Sequence, residues 1–230
     1  ENSRSSLFEA MQRRETYGTS GPRISLRFFG GDASLPEDIC ERSDYVAQGY
    51  DHGVAMGGDL LLDEDAEAPV FTVFAKMDAG RTGTPLQRIQ IIKGSVGKEG
   101  QRDEVVIDIA GDTDSSAGVD LQSCETQGSG HAQLCGRWQD PQFDPTENAR
   151  VLENPTCRWS QQICIAAKID CENPDTIKPG YEQCCSAAHR PVIQERAWSS
   201  PIWYSPSEDM SEEVTKAGVK NENVTAEVQP

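Results

Sequence analysis

Apolar and polar residues alternate along several short segments of this chain, and a period of two is typical of strands with one buried face. In the first segment Ile24, Leu26 and Phe28 fall on one side, and the residues between them are polar. The same alternation predicts strands at residues 70–77, 86–93, 104–110 and 192–198. Glycine-containing turns separate the strands without intervening helices, which favours an antiparallel sandwich over a parallel βαβ architecture.

Residues 6–14, which precede these strands, have the period of a helix instead. Leu7, Ala10, Met11 and Arg14 fall on one face, and the pattern Ser6-x-x-Glu9 predicts a capping box at the helix start. Gly18 is expected to end the helix. A helix with a single apolar face needs a surface to pack on, so we expect it to contact another domain.

The predicted fold class is mainly β: an antiparallel β-sandwich with a short N-terminal helix and a disulfide-stapled, irregular C-terminal region. Residues 1–22 are interpreted as a helix and a junction that continue from an upstream domain, and residues 23–206 as the sandwich. Residues 112–191 contain seven of the eight cysteines and form a cysteine-rich wrap over it. Residues 207–230 are acidic and polar, and are expected to form a flexible tail.

Composition excludes some partners. A net charge of −17 disfavours nucleic acid, because phosphate backbones are bound by clustered Lys and Arg. No stretch approaches the roughly 18 apolar residues of a membrane span.

Eight cysteines, an even number, predict disulfides. Their spacings are irregular and the three histidines are scattered, unlike zinc sites. We expect all eight to be oxidised: Cys40, Cys124, Cys135, Cys157, Cys164, Cys171, Cys184 and Cys185. Cys124 and Cys135 are close enough to pair, whereas the adjacent Cys184 and Cys185 are expected to have different partners.

Disulfides place the protein in the periplasm or outside the cell. Residues 1–20 have no basic start, apolar region or cleavage site of a signal peptide, so we expect an N-terminal portion of the precursor to have been lost.

Four ordered motifs carry a family resemblance. They are residues 17–31 (YGTSGPRISLRFFGG), 56–60 (MGGDL), 85–94 (PLQRIQIIKG) and 193–204 (IQERAWSSPIWY). Together they resemble the C-terminal third of the bacterial family called domain of unknown function 3604, over roughly residues 1–206. That family in turn resembles the polymerase-and-histidinol-phosphatase superfamily of metal-dependent phosphoesterases.

The resemblance implies that the metal ligands lie in an upstream domain. This segment would then contain no catalytic residue and no metal or cofactor, and the divalent metal ions would be held by the absent domain. It would support or close that domain's active site. The alternative is a released β-sandwich module that acts in binding or assembly without catalysis.

Thr19, Ser20 and Arg23 are the candidate binding residues, because two hydroxyls and a guanidinium at the helix-to-strand junction suit a substrate phosphate. A structural turn, in which Arg23 pairs with a surface acid, is the competing interpretation. The expected partner is the remainder of the precursor or a neighbouring chain, in an oligomer or complex.

Other chemistry has weaker support. No Gly-x-Ser-x-Gly elbow accompanies the Ser, His and Asp residues, and no glycine-rich phosphate cradle precedes a helix. Two acidic clusters, residues 59–65 and 108–120, have the oxygen ligands that calcium prefers without the spacing of an EF-hand. They are interpreted as solvated loops, and calcium binding stays open.

Overall fold

The computed structural model describes residues 2–62, 68–80, 83–96, 99–113, 116–139 and 147–206. The α-helices in these ranges are Arg4–Gln12 (α1), Tyr45–His52 (α2) and Trp159–Ala166 (α3). The strands up to residue 111 are Tyr17–Thr19 (β1), Ser25–Gly31 (β2), Gly53–Ala55 (β3), Asp59–Leu62 (β4), Val70–Lys76 (β5), Leu86–Val96 (β6) and Arg102–Gly111 (β7). The later strands are Gly118–Val119 (β8), Thr126–Gln127 (β9), Gln133–Gln139 (β10), Glu147–Glu153 (β11), Thr156–Cys157 (β12), Val192–Ile193 (β13), Arg196–Ser199 (β14) and Trp203–Pro206 (β15). The predicted tail lies outside the described residues.

Two antiparallel sheets make up the body of the molecule. One has the strand order β1-β14-β11-β6-β7, and the other has the order β10-β5-β2-β3. Strands β15 and β4 form a separate parallel pair. The chain is therefore mainly β, as its alternating pattern predicts.

The core lies between the inner faces of these sheets. Leu26 and Phe28 of β2, and Ile24 directly before it, are at most 1% exposed, which confirms the face predicted for this segment. The facing sheet contributes Ile89 and Ile91 of β6, both fully buried, to the same apolar cluster. Period-two alternation therefore brings the two sheets together by burial of apolar surface.

The second sheet is covered on its outer face as well. Phe29, Leu35, Ile39, Tyr45 and Val70 form a second buried cluster between this sheet and the segment that contains α2. The buried hydroxyl of Tyr45 donates to Thr72 Oγ1 at 3.2 Å. Burial on both faces explains why β2 and β5 contain runs of apolar residues as well as alternation.

Helix α1 differs from its sequence prediction at both ends. Its N-cap is Ser3, whose Oγ accepts a hydrogen bond from the backbone N–H of Ser6 at 3.2 Å, so the predicted capping box at Ser6 is wrong. The helix ends at Gln12, and Arg14 adopts a φ of 60°. Gly18, the predicted stop, lies in β1. Serine is a favoured N-cap residue, and Ser3 caps the helix three positions before the predicted cap at Ser6.

All eight cysteines form disulfides, as predicted: Cys40–Cys135, Cys124–Cys157, Cys164–Cys184 and Cys171–Cys185. The expected Cys124–Cys135 pair is wrong. Cys135 lies on β10 beside Phe74 of β5, facing the second apolar cluster, where it meets Cys40. Cys184 and Cys185 bind different partners, as expected.

Sequence patterning misses several elements in the predicted wrap. Strand β10 pairs with β5 along seven residues and completes the second sheet, although residues 112–191 have no clear alternation. The segment predicted as one strand at residues 192–198 is divided into β13 and β14 around Gln194 and Glu195.

Within the described ranges no helix is long and apolar enough to cross a membrane.

Removal of Cys40–Cys135 is expected to destabilise the protein more than removal of Cys171–Cys185. The first disulfide joins residues 95 positions apart beside a buried cluster, whereas the second spans 14 positions and Cys171 is exposed. The double Cys→Ser variants should lose about 4–5 and about 3 kcal/mol of unfolding free energy, respectively. Urea unfolding without reductant measures both, and equal losses would contradict the expected order.

Candidate functional site

An open cleft of about 990 Å³ lies where the connections of the sandwich meet the disulfide-stapled segments. Five separate parts of the chain line it. The lining residues, in chain order, are Gly21, Pro22, Gly83, Thr84, Cys124, Glu125, Thr126, Thr156, Cys157, Trp159, Gln162 and Glu195. Two of these parts belong to the sequence motifs at residues 17–31 and 193–204, so the cleft brings together residues almost at opposite ends of the chain.

Ser20 fastens the first of these motifs to the second. The backbone N–H of Ser20 donates to the carbonyl of Arg196 at 3.0 Å, and the N–H of Arg196 donates to Ser20 Oγ at 2.9 Å. The Ser20 hydroxyl in turn donates to the Glu195 carboxylate. These bonds continue the antiparallel pairing of β1 with β14 by one residue. They hold Gly21 and Pro22 at the cleft wall, and a Cβ on Gly21 would lie 3.5 Å from the Glu195 carboxylate.

The other two predicted binding residues flank this turn. Thr19 is exposed and pairs with Ala197 in the sheet. Arg23 is exposed, and its backbone N–H donates to Asp78 Oδ2 at 2.9 Å. That hydrogen bond, together with one from Gly80, lowers the pKa of Asp78. Ser20 directly precedes the cleft residue Gly21 and has its hydroxyl engaged by Glu195, and a phosphate contact from Thr19, Ser20 or Arg23 stays a prediction.

Glu153 is the buried charged group beside the cleft. It lies at the end of β11 with 0% of its surface exposed, and its backbone N–H donates to the carbonyl of Glu195 at 2.9 Å. Glu153 Oε2 accepts from the Thr84 hydroxyl at 2.9 Å, whereas Glu153 Oε1 is buried without a hydrogen-bond partner among the described atoms. Burial raises the pKa of Glu153 to about 7, and the charges of Glu195 and Asp78 act in the same direction.

The opposite wall is built by the Cys124–Cys157 disulfide and the start of α3. This bond ties the β8–β9 hairpin to β12, and α3 begins two residues later at Trp159. Trp159 is 77% exposed at the cleft. Sequence reasoning missed Trp159 and Glu153, since no pattern marks either residue. Glu195 lies within the motif at residues 193–204. The motif draws attention to this residue but does not predict its role in the cleft.

The candidate calcium ligands have other contacts where they are described. Asp59 pairs with Arg14 at 2.9 Å, and Asp120 Oδ1 accepts from two backbone N–H groups of its own turn at 2.8 Å. Asp63, Glu64, Asp65 and Asp114 lie outside the described residues. In the part of the chain that the structure describes, no group of three or more His, Cys, Asp and Glu side chains is arranged to hold a metal ion.

Comparison with known families gives one match. The model of a family described as a protein of unknown function (DUF3604) matches residues 1–206, and the chain belongs to that family. No curated protein matches the chain. No solved structure matches it either.

Glu153 is expected to make stability depend on pH. Its folded-state pKa of about 7 lies above the ordinary value of 4.5, so the folded protein binds this proton more tightly and loses stability as pH rises between these values. Glu153→Gln should therefore raise the free energy of unfolding on the order of 1–3 kcal/mol at about pH 8 and change it little at about pH 5.

Urea unfolding at the two pH values measures this difference. Glu125→Gln is the matched control, because Glu125 is an exposed carboxylate of the same cleft. An equal gain from Glu153→Gln at both pH values would show that the buried carboxyl does not titrate in this range.

Proposed function

We propose that this member of the DUF3604 family is the non-metal-binding part of a secreted metal-dependent hydrolase. In this proposal it supports or closes the active site of a separate metal-binding domain, which holds the divalent metal ions and belongs to the same precursor or to a neighbouring chain. The resemblance of the family to the polymerase-and-histidinol-phosphatase superfamily suggests phosphoester hydrolysis with a metal-activated water as nucleophile.

The apolar face of α1 is the observation that carries the proposal. Leu7, Phe8 and Met11 are 54%, 57% and 61% exposed, and no residue of α1 is buried. A nine-residue helix is marginal in water unless another surface covers its apolar face. Covering the part of these three side chains that is still exposed would contribute about 1–2 kcal/mol each, which favours docking of a domain on this face.

One short strand connects α1 to the turn that lines the cleft. Helix α1 is followed by β1, whose three residues extend about 10 Å, then by Ser20, and then by Gly21 and Pro22, which line the cleft wall. Arg14, between α1 and β1, pairs with Asp59 at 2.9 Å. A domain bound to α1 would reach Ser20 and Arg23 if it extends along β1 by about 10 Å. We propose that Arg23, whose guanidinium is exposed, contacts the substrate phosphate.

The disulfides support export. Four disulfides within one chain are typical of proteins that fold in an oxidising compartment. The periplasm or the cell exterior is the proposed location.

A second candidate function is a binding or assembly module without catalysis. The cleft favours it, because the described residues of this chain form its walls without help from another domain, and Trp159 is exposed there. The two candidates differ in whether a metal-binding domain accompanies the chain in the native protein. Intact mass and metal content of the protein from its natural source distinguish them.

The chain alone is expected to hydrolyse neither p-nitrophenyl phosphate nor bis-p-nitrophenyl phosphate with Mg²⁺, Mn²⁺ or Zn²⁺. Together with the metal-binding domain it should do so, and Arg23→Ala should raise KM about tenfold through loss of a charge-assisted hydrogen bond. Steady-state kinetics with both substrates measure this. Metal-dependent turnover by the chain alone that disappears in His52, His131 or His189 variants would contradict the proposal.

Substitution on α1 should separate docking from folding. Leu7→Asp combined with Met11→Asp changes exposed side chains, so the free energy of unfolding of the chain alone should change by less than about 0.5 kcal/mol. The same variant should bind the metal-binding domain at least about tenfold more weakly. Val46→Asp on α2, where Val46 is 42% exposed, is the matched control and should leave that affinity unchanged. Equal weakening by both variants would contradict docking through α1.

A further inference from the structure

Trp159 has the highest exposure of the large apolar side chains that the structure describes, at 77%. It is the first residue of α3 and lines the cleft. Tryptophan is highly buried on average in folded proteins, because its indole ring has a large apolar surface. A ring held in water at the mouth of a cavity is suited to stack on the flat face of a ligand.

The polar groups that line the same cleft include hydroxyl, amide and carboxylate groups. Thr126 and Thr156 contribute hydroxyls, Gln162 an amide, and Glu125 and Glu195 carboxylates. Among the described residues that line the cleft, none has a positive charge. Carboxylates accept several hydrogen bonds and repel anions, so this set suits a ligand with many hydroxyl donors and no negative charge.

The walls are fixed before a ligand binds. The Cys124–Cys157 disulfide holds the wall next to Trp159, and Thr84 is held by its hydrogen bond to the buried Glu153. On the far side, the Ser20 hydroxyl holds the Glu195 carboxylate. A preformed site loses less conformational entropy on binding, which favours the weak polar ligands that make few apolar contacts.

We propose that the cleft binds a neutral saccharide. One face of a sugar ring stacks on Trp159, and its hydroxyls donate to the carboxylates of Glu125 and Glu195. The volume of about 990 Å³ lies at the upper end of the range for small-molecule sites, about 300–1,000 Å³, and accommodates more than one sugar unit. This inference goes beyond the proposed hydrolase function and does not depend on it, because the described residues of this chain supply the whole set.

Isothermal titration calorimetry with four trisaccharides tests the proposal: cellotriose, chitotriose, maltotriose and the anionic trigalacturonate. At least one neutral trisaccharide should bind with a Kd of millimolar or below. Trp159→Ala should weaken that binding at least about tenfold, because it removes the stacking surface, and Glu125→Gln a few-fold, because it replaces one carboxylate acceptor with an amide donor. Trp203→Ala is the matched control, since Trp203 is 42% exposed and does not line the cleft. It should change the affinity by less than about twofold.

Three results would overturn the proposal. One is the absence of binding by every neutral trisaccharide at roughly 10 mM. Another is tighter binding of trigalacturonate than of the neutral sugars. The third is equal affinity of wild type and Trp159→Ala. Circular dichroism establishes that Trp159→Ala is folded, and Glu125→Gln serves as the deciding variant if it is not. These results are independent of hydrolase activity, so failure here leaves the proposed function to its own experiments.

Discussion

Strand β14 is hydrogen-bonded on both sides, and the arrangement of the cleft depends on this pairing. Ala197 lies opposite Thr19 of β1 on one side and opposite Val151 of β11 on the other, and it is fully buried. A register slip of one residue would turn Ala197 outward and Trp198 into the core, so the register is strongly specified. Once it is set, Ser20 must lie beside Arg196, and Glu153 must lie beside Glu195. The register of β14 therefore determines where Ser20 and Glu153 lie beside the cleft.

The buried Glu153 is the least favourable part of this arrangement. A carboxyl group with one oxygen unpartnered loses the hydration that it has in water, and the raised pKa is the measure of that loss. The Thr84 hydroxyl offsets only part of it. An apolar side chain of similar size would fill the position without this penalty, so stability alone does not explain a glutamate here. Its effect is to hold Thr84, a residue of the cleft wall, to the end of β11.

Local signals in the sequence predict much of the sandwich and little of the cleft. Strands β2, β5 and β6 are predictable because each buries an apolar face that local alternation reveals. Strand β1 has no buried residue, so its pairing with β14 leaves no hydrophobic signal. Cys124 pairs with Cys157, 33 positions away, although Cys135 is nearer in the sequence. Cys135 is paired with Cys40, because β10 turns its side chain toward that residue. Such choices are made by tertiary packing, which a linear pattern does not contain.

The cleft residues were missed for the same reason. Five chain segments supply them, and each segment by itself is an ordinary turn, hairpin or helix start. The disulfides order the segments on the far side of the cleft, because residues 156–191 bury few apolar side chains of their own. With the Cys124–Cys157 bond in place, the first turn of α3 is held beside the β8–β9 hairpin, and Trp159 remains in solvent although the chain around it is fixed. An exposed aromatic side chain on a rigid support is the arrangement that binding requires, whereas packing of the core does not require it.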